Sequence, residues 1–260
     1  MSGFDPDALA AHLFAARRAR RVLAVPPPHL RPPGHADGVA AQRALARTIG
    51  ADPPAGFKVG ATARTMQDYL GLPGPLAGFM SEAGLHGSLS TLAYAGFVAP
   101  GAECEIAVHL GRDLPPGPCT TAQAAEAVDG VMAAIELVEL RYPDLAAFGA
   151  SLLVADQVFH AAAVLGAPEA NWRALDLDAL PGRILVNGEE RGHGLGRDLL
   201  GGPLRVLAWL AASEEAAAFG GLRAGQVIML GSVTPPIWLD GPCRVEVAFP
   251  PLEPTVVTLT

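Results

Sequence analysis

Residues 101–111, Gly-Ala-Glu-Cys-Glu-Ile-Ala-Val-His-Leu-Gly, place the strongest constraint on what this chain can become. The run is apolar apart from its acids and His109, carries β-branched Ile106 and Val108, and continues into the turn signal Gly111-Arg112-Asp113, so it predicts a strand. Side chains at i and i+2 of a strand share a face, which sets Glu103 and Glu105 side by side. Two carboxylates that close repel each other unless something positive lies between them. A hard divalent cation such as Mg²⁺ or Mn²⁺ takes oxygen ligands of this kind and keeps water or substrate in its remaining positions. A strand face with two solvated acids is the plain alternative, and an E-x-E pair alone does not separate the two.

Lysine usage supplies a second constraint. The 18 basic residues comprise 17 arginines and one lysine, Lys58. Guanidinium stays charged, whereas an ammonium can give up its proton when its surroundings lower its pKa, so a lone lysine draws notice as a proton carrier. A compositional bias that left one lysine is the bland reading. With half its residues apolar and 17% charged, the chain is globular, and a formal charge of -8 argues against nucleic acid or an anionic membrane as partner. The three cysteines (Cys104, Cys119, Cys243) form no spaced framework, no apolar run reaches membrane length, and the first residues carry acid where a signal peptide needs base. The expectation is a soluble cytoplasmic protein.

Along the chain, Asp5-Pro6 predicts a helix start, with Leu9, His12, Leu13 and Ala16 at helical spacing and Arg17, Arg18, Arg20 and Arg21 toward its end as a solvated face. A proline-rich connection over 25–35 leads to a second predicted helix, Gly38–Ile49. Gly56–Gly60 reads as a strand with Lys58 on the face opposite Phe57 and Val59, and Thr65–Leu70 as a short helix closed by Gly71. Thr120 or Thr121 is placed to cap a helix over Ala122–Val128, before Val131–Leu140 returns as a strand. On that strand Glu136 and Glu139 are expected to face opposite ways. Ala147–Gly166 is predicted as one helix, Ile184–Gly188 as a strand entering an Asn-Gly turn, and Pro203–Ala218 as an amphipathic helix. Strands over Gln226–Leu230, Cys243–Phe249 and Thr255–Leu259 complete an α+β arrangement, with residues 1–54 a helical N-terminal cap and 55–260 a β-rich catalytic domain.

Several of these stretches, in order, resemble the fumarylacetoacetate hydrolase superfamily, in the branch of 2-keto-4-pentenoate hydratases and 4-oxalocrotonate decarboxylases. They include Gly56-Phe57-Lys58-Val59-Gly60, Glu103-Cys104-Glu105-Ile106-Ala107, Ala134-Ile135-Glu136-Leu137-Val138-Glu139, Val154-Ala155-Asp156 and Leu230-Gly231-Ser232-Val233-Thr234. The resemblance implies a distorted mixed β-sandwich or roll, a homo-oligomer, and Mg²⁺ or Mn²⁺ held by Glu103, Glu105 and a third carboxylate, Glu136. It also implies a small 2-oxo acid substrate that fills the open metal positions, with Lys58 beside it. Ser232 and Thr234, in a Gly-Ser-x-Thr loop, are candidate hydrogen-bond donors to the substrate carboxylate, with ordinary turn capping as the alternative.

The expected reaction is hydration of a 2-hydroxy-2,4-dienoate to a 4-hydroxy-2-oxo acid. Decarboxylation of a 2-oxo diacid of the 4-oxalocrotonate type, hydrolysis of an acylpyruvate, and an inactive metal-binding homologue are the alternatives. The last enters because an acid usual in the hydratases falls on Ala83 here, with Glu82 one place short of it as a candidate catalytic replacement. The familiar Ala-Asp-Asn-x-x-Ser also becomes Ala155-Asp156-Gln157-Val158-Phe159-His160. His86 and His160 are expected to be structural or rim residues, His193 a loop residue, and His109 too far along its strand, at about 3.3 Å per residue, to reach the same ion as Glu105.

Overall fold

The computed structural model describes residues 3–260, with side chains at all of these positions except 65, 69, 70 and 146. Helix α1 (Pro6–Arg18) starts where Asp5 Oδ1 accepts the N–H groups of Asp7 and Ala8, and α2 (His35–Thr48) follows the proline segment. Then come β1 (Gly56–Gly60), α3 (Arg64–Leu70), β2 (Leu76–Met80), β3 (Leu85–Gly87), β4 (Ser90–Leu92) and β5 (Pro100–Leu110). The middle of the chain forms α4 (Thr121–Ala127), β6 (Val128–Glu139), α5 (Leu145–Phe148), α6 (Ala150–Ala155) and β7 (His160–Leu165). The remainder is β8 (Pro181–Val186), β9 (Glu189–Leu195), α7 (Pro203–Ala211), α8 (Glu214–Ala218), β10 (Val227–Ser232), β11 (Ile237–Trp238), β12 (Cys243–Ala248) and β13 (Thr255–Leu259).

The strands form two mixed sheets. One is eight-stranded in the order β2-β1-β10-β5-β6-β7-β3, with β11 added to β5; the other is five-stranded in the order β4-β13-β12-β8-β9. The long antiparallel pair β5–β6 is the spine, and β5, β6 and β7 touch β8, β12 and β13 across the sandwich. Strand parity sorts the two faces of β5. Cys104, Ile106, Val108 and Leu110 enter the main core shared by both sheets, while Ala107 joins a small apolar patch with Met80, Met132, Ala134, Ala163, Val227 and Met229. Glu103 and Glu105 share parity with Ala107, so they stand on the face that carries this patch.

The N-terminal helices close the other end of the main core. Leu9, Leu13 and Leu45 belong to the same buried cluster as Phe57 and Ile106. Buried Gln42 donates from Nε2 to the carbonyls of Ala77 and Val154, tying α2 to β2 and α6. No helix among the described residues is long and apolar enough to cross a membrane.

Two predicted helices come out differently. Pro203–Ala218 breaks after Ala211, because the Ser213 hydroxyl accepts the N–H of Ala216 and starts a new helix, α8. Ala147–Gly166 is broken at Gly149 (φ 75°), between α5 and α6, and its helical part ends at Ala155. The N–H of Gln157 bonds the Val154 carbonyl and that of Val158 the Leu153 carbonyl, a Schellman-type end with Gln157 (φ 59°) at the left-handed position usually held by glycine. Residues 160–165 then pair with β6 as β7. The alanine- and leucine-rich run carries no glycine or proline at this boundary, so helix and strand look alike there in the sequence.

Candidate active site

The β5–β6 register sets Glu103 directly opposite Glu136, with Glu105 opposite Ala134. One carboxylate oxygen from each of Glu103, Glu105 and Glu136 lies within 4.8 Å of the other two. Glu105 and Glu136 are fully buried and Glu103 half-buried. Strand β1 runs two places away, on the far side of β10, and brings Lys58 to the same face: its Nζ stands 3.3 Å from Glu136 Oε2 and donates to the Val158 carbonyl at 2.7 Å. Phe57 and Val59 point into the main core, so the alternation read from Gly56–Gly60 places Lys58 on the acids' side.

His160, expected on the rim or in a structural role, is a buried neighbour of the acids. Its Nδ1 lies 2.8 Å from Glu136 Oε1. Burial lowers the His160 pKa despite the opposing hydrogen bond to Glu136, so the ring is neutral and its Nδ1–H is the donor to the carboxylate. The helix expected over 147–166 hid this residue, since only a strand at 160–165 presents it to β6. The available signal was the departure at 155–160, where a histidine stands in place of the familiar serine.

The electrostatics of the cluster define what fits it. With all three carboxylates ionised, Lys58 balances one of three negative charges and neutral His160 none. Burial, then the Glu136 charge, pushes the Glu103 carboxyl up to about 8 against the pull of Lys58. Burial, Glu136 and Glu103 together push Glu105 well above the carboxylate range. Glu136 is held below its ordinary value, because Lys58 and the His160 hydrogen bond outweigh its burial. Among the described residues, Glu105 Oε1 is buried with no hydrogen-bond partner, and Glu136 Oε2 has the Lys58 ammonium at 3.3 Å but no aligned hydrogen bond. Three clustered oxygens, an orphaned Glu105 Oε1 and two carboxyls whose repulsion a cation would relieve fit a divalent oxygen-loving cation.

The loop after β10 supports β5. Gly231 (φ 94°) sits at a register break between Met229 and Ser232, and its N–H donates to Glu105 Oε2 at 2.9 Å. A Cβ at this position would lie 2.6 Å from Thr62 Oγ1. The Ser232 hydroxyl accepts the Cys104 N–H at 3.1 Å, and Thr234 Oγ1 lies 3.4 Å from it. Glu82 stands on an exposed turn between β2 and β3, in a segment packed on β7.

The other candidates separate from the cluster. Glu139 turns away from Glu136 and meets Arg141 and the Val98 N–H. Half-buried His109 pairs with Asp129 at 2.6 Å. His86 lies on β3 opposite Val164. His193, expected in a loop, is on β9, exposed and 3.0 Å from Glu190. Of the four arginines expected as a solvated face, Arg18, Arg20 and Arg21 are exposed, but Arg17 folds inward and bonds Asp156 at 2.6 Å.

Residues 59–257 match the family model for the fumarylacetoacetate (FAA) hydrolase C-terminal region, and the chain belongs to this family. Among its relatives, the 2-hydroxyhexa-2,4-dienoate hydratase of Comamonas testosteroni is 33% identical over 183 residues, which cover 69% of this chain and 68% of that protein. A 2-keto-4-pentenoate hydratase of Burkholderia vietnamiensis is 34% identical over the same length and the same shares of each chain. Of the solved structures, the 4-oxalocrotonate decarboxylase of Pseudomonas putida G7, described as complexed with magnesium and adipate, is similar in fold, with a TM-score of 0.90. That match spans 98% of this chain and 97% of the decarboxylase at 24% identity. The expected mixed-sheet α+β fold of the fumarylacetoacetate hydrolase type is therefore the one observed.

Proposed function

We propose that this protein is a divalent-metal-dependent hydratase that adds water to a 2-hydroxy-2,4-dienoate to give a 4-hydroxy-2-oxo acid. The observation that carries the reading is the buried trio of Glu103, Glu105 and Glu136, in which burial and mutual repulsion push two carboxyls up, beside the only lysine of the chain. The relatives named as hydratases, at 33% and 34% identity, support the same chemistry. Glu103, Glu105 and Glu136 would hold the cation, Mg²⁺ or Mn²⁺. When bound, it supplies Lewis-acid polarisation of a 2-oxo group and stabilises developing enolate charge.

The residues of the chain do the rest. Lys58 Nζ, fixed as an ammonium between Glu136 and the Val158 carbonyl, gives a proton to the far end of the diene and, as the amine so formed, takes the proton of the 2-hydroxyl. The resulting 2-oxo-3-enoate accepts water at C4 and a proton at C3. His160 holds the Glu136 carboxylate in one orientation, and the Gly231 N–H does so for Glu105. Ser232 and Thr234 are the proposed donors to the substrate carboxylate, and Glu82 the proposed replacement for the missing acid. We place the protein in the cytoplasm as a homo-oligomer; its three cysteines are free thiols, as a reducing compartment requires.

Purified protein with Mg²⁺ and 2-hydroxypenta-2,4-dienoate should consume the dienol and yield 4-hydroxy-2-oxopentanoate. Parallel incubations with a 4-oxalocrotonate and an acylpyruvate separate decarboxylation and hydrolysis from hydration. Turnover of either of these with an untouched dienoate overturns the hydratase reading.

A further inference from the structure

Three consecutive residues bearing side chains, Gln157, Val158 and Phe159, have φ values of 59°, 51° and 68°. Left-handed backbone is costly for such residues, most of all for a β-branched one, and it persists only where the surroundings over-determine it. This turn delivers two groups to the site. The Val158 carbonyl accepts the Lys58 ammonium at 2.7 Å, and His160, the next residue after the turn, bonds Glu136.

The turn is anchored at Asp156, which is buried. Arg17 donates from Nε to Asp156 Oδ1 at 2.6 Å and from Nη2 to the Asp156 carbonyl at 2.7 Å. Arg141 donates from Nη2 to Oδ2 at 2.8 Å, and the Tyr142 hydroxyl reaches the same oxygen. Glu139 pairs with Arg141, so two guanidinium groups face two carboxylates and the knot carries no net charge. Just beyond it, Gln157 donates to the Phe79 carbonyl at 2.7 Å. Only Arg17 enters this knot from the N-terminal helices, and its two contacts bridge 139 residues of chain.

We propose that Arg17 is a positioning residue for the Lys58–Glu136 pair. By holding both the carboxylate and the carbonyl of Asp156, it keeps the 157–159 turn in the conformation that seats the Lys58 ammonium and presents His160 to Glu136. The helical N-terminal segment is thereby coupled to the site on the large sheet. The role in turnover rests on the hydratase reading; the placement of Lys58 does not.

Because Lys58 is the only lysine, selective ¹³C,¹⁵N-lysine labelling yields one side-chain resonance that reports its placement without substrate. In Arg17→Lys the charge stays, but a single ammonium cannot reproduce two directed N–H contacts. This variant should lower kcat by about 10–100-fold, as loss of an outer positioning contact does, leave KM near wild type, weaken Mg²⁺ binding by no more than His160→Phe does, and shift the Lys58 resonance. Arg17→Ala should behave alike, with methylguanidine, but not methylammonium, restoring part of kcat and the wild-type resonance. The exposed neighbour serves as control, and Arg18→Ala should change neither. An unshifted resonance in Arg17→Lys overturns the proposal whether or not kcat falls, and if Arg17→Ala does not fold, Arg17→Lys decides alone. Should wild type not hydrate the dienoate, the hydratase reading fails, and the resonance still decides the placement of Lys58.

Discussion

Lys58 Nζ lies 3.3 Å from Glu136 Oε2, with both side chains buried, so the only lysine of the chain is paired with one of three clustered carboxylates. A buried ion pair is weak evidence for stability, because the attraction must first offset the desolvation of both charges. A site that must hold a cation and move a proton needs such an arrangement nonetheless. The pair sets an ammonium beside two further carboxyls that burial and mutual repulsion push up, and a divalent cation bound there would offset that repulsion.

Lys58→Met should lower turnover of the dienoate by roughly 10²–10⁴-fold, the usual range for a general acid–base group. Lys58→Arg should fail almost as badly, since guanidinium keeps its proton and has a different shape. Steady-state kinetics at saturating Mg²⁺ checks both. A Lys58→Arg enzyme with wild-type kcat would remove the proton-carrier role.

Glu103→Gln and Glu136→Gln should each abolish tight Mg²⁺ or Mn²⁺ binding as read by calorimetry. His160→Phe, which removes the hydrogen bond to Glu136 Oε1, should weaken binding about 10–100-fold, the range for losing a partner that orients a ligand. Equal affinities in wild type and both glutamine variants would put the ion elsewhere.

Gly231→Ala should cost about 1–3 kcal/mol, since φ of 94° is strained for any side chain and the new Cβ would press on Thr62 Oγ1. The N–H would leave Glu105, and metal affinity should fall with stability. Urea unfolding with and without Mg²⁺ measures both. An alanine variant as stable as wild type would mean that the loop relaxes freely.

Asp156 carries a pH signature. Its burial opposes charge, but Arg141, Arg17 and the Tyr142 hydroxyl outweigh that and hold the carboxyl below its ordinary value. A depressed folded pKa contributes stability that is complete above the unfolded value of about 3.9 and is lost as pH falls through the folded value. Wild type should therefore lose stability steeply below about pH 4. Asp156→Asn leaves buried guanidinium groups without their partner, so it should be about 3–5 kcal/mol less stable at neutral pH, with a shallower acid slope. Denaturant midpoints measured across this range would contradict the account if the two slopes coincide.

The alternation at 101–111 and at 56–60 determined by itself that Glu103, Glu105 and Lys58 stand off the core, because strand parity is local geometry. The Asp-Pro start of α1 was legible for the same reason, since a cap is a contact within one turn, whereas for α4 the sequence left Thr120 or Thr121 open and the structure caps it at Thr120 with Gln123. The family likeness added Glu136 as a third acid. Only the tertiary structure decided that Glu136 faces Glu103 across β5–β6, that Lys58 reaches Glu136 past two intervening strands, and that His160 is a neighbour of the acids. The run at 147–166 misled because alanine and leucine serve helix and strand alike. What ends α6 at Ala155 is a left-handed turn without glycine, held by Arg17, Arg141, Tyr142 and Phe79 from elsewhere in the chain. Such a conformation has no local sequence signal, because its cost is offset by contacts that exist only once the chain has folded.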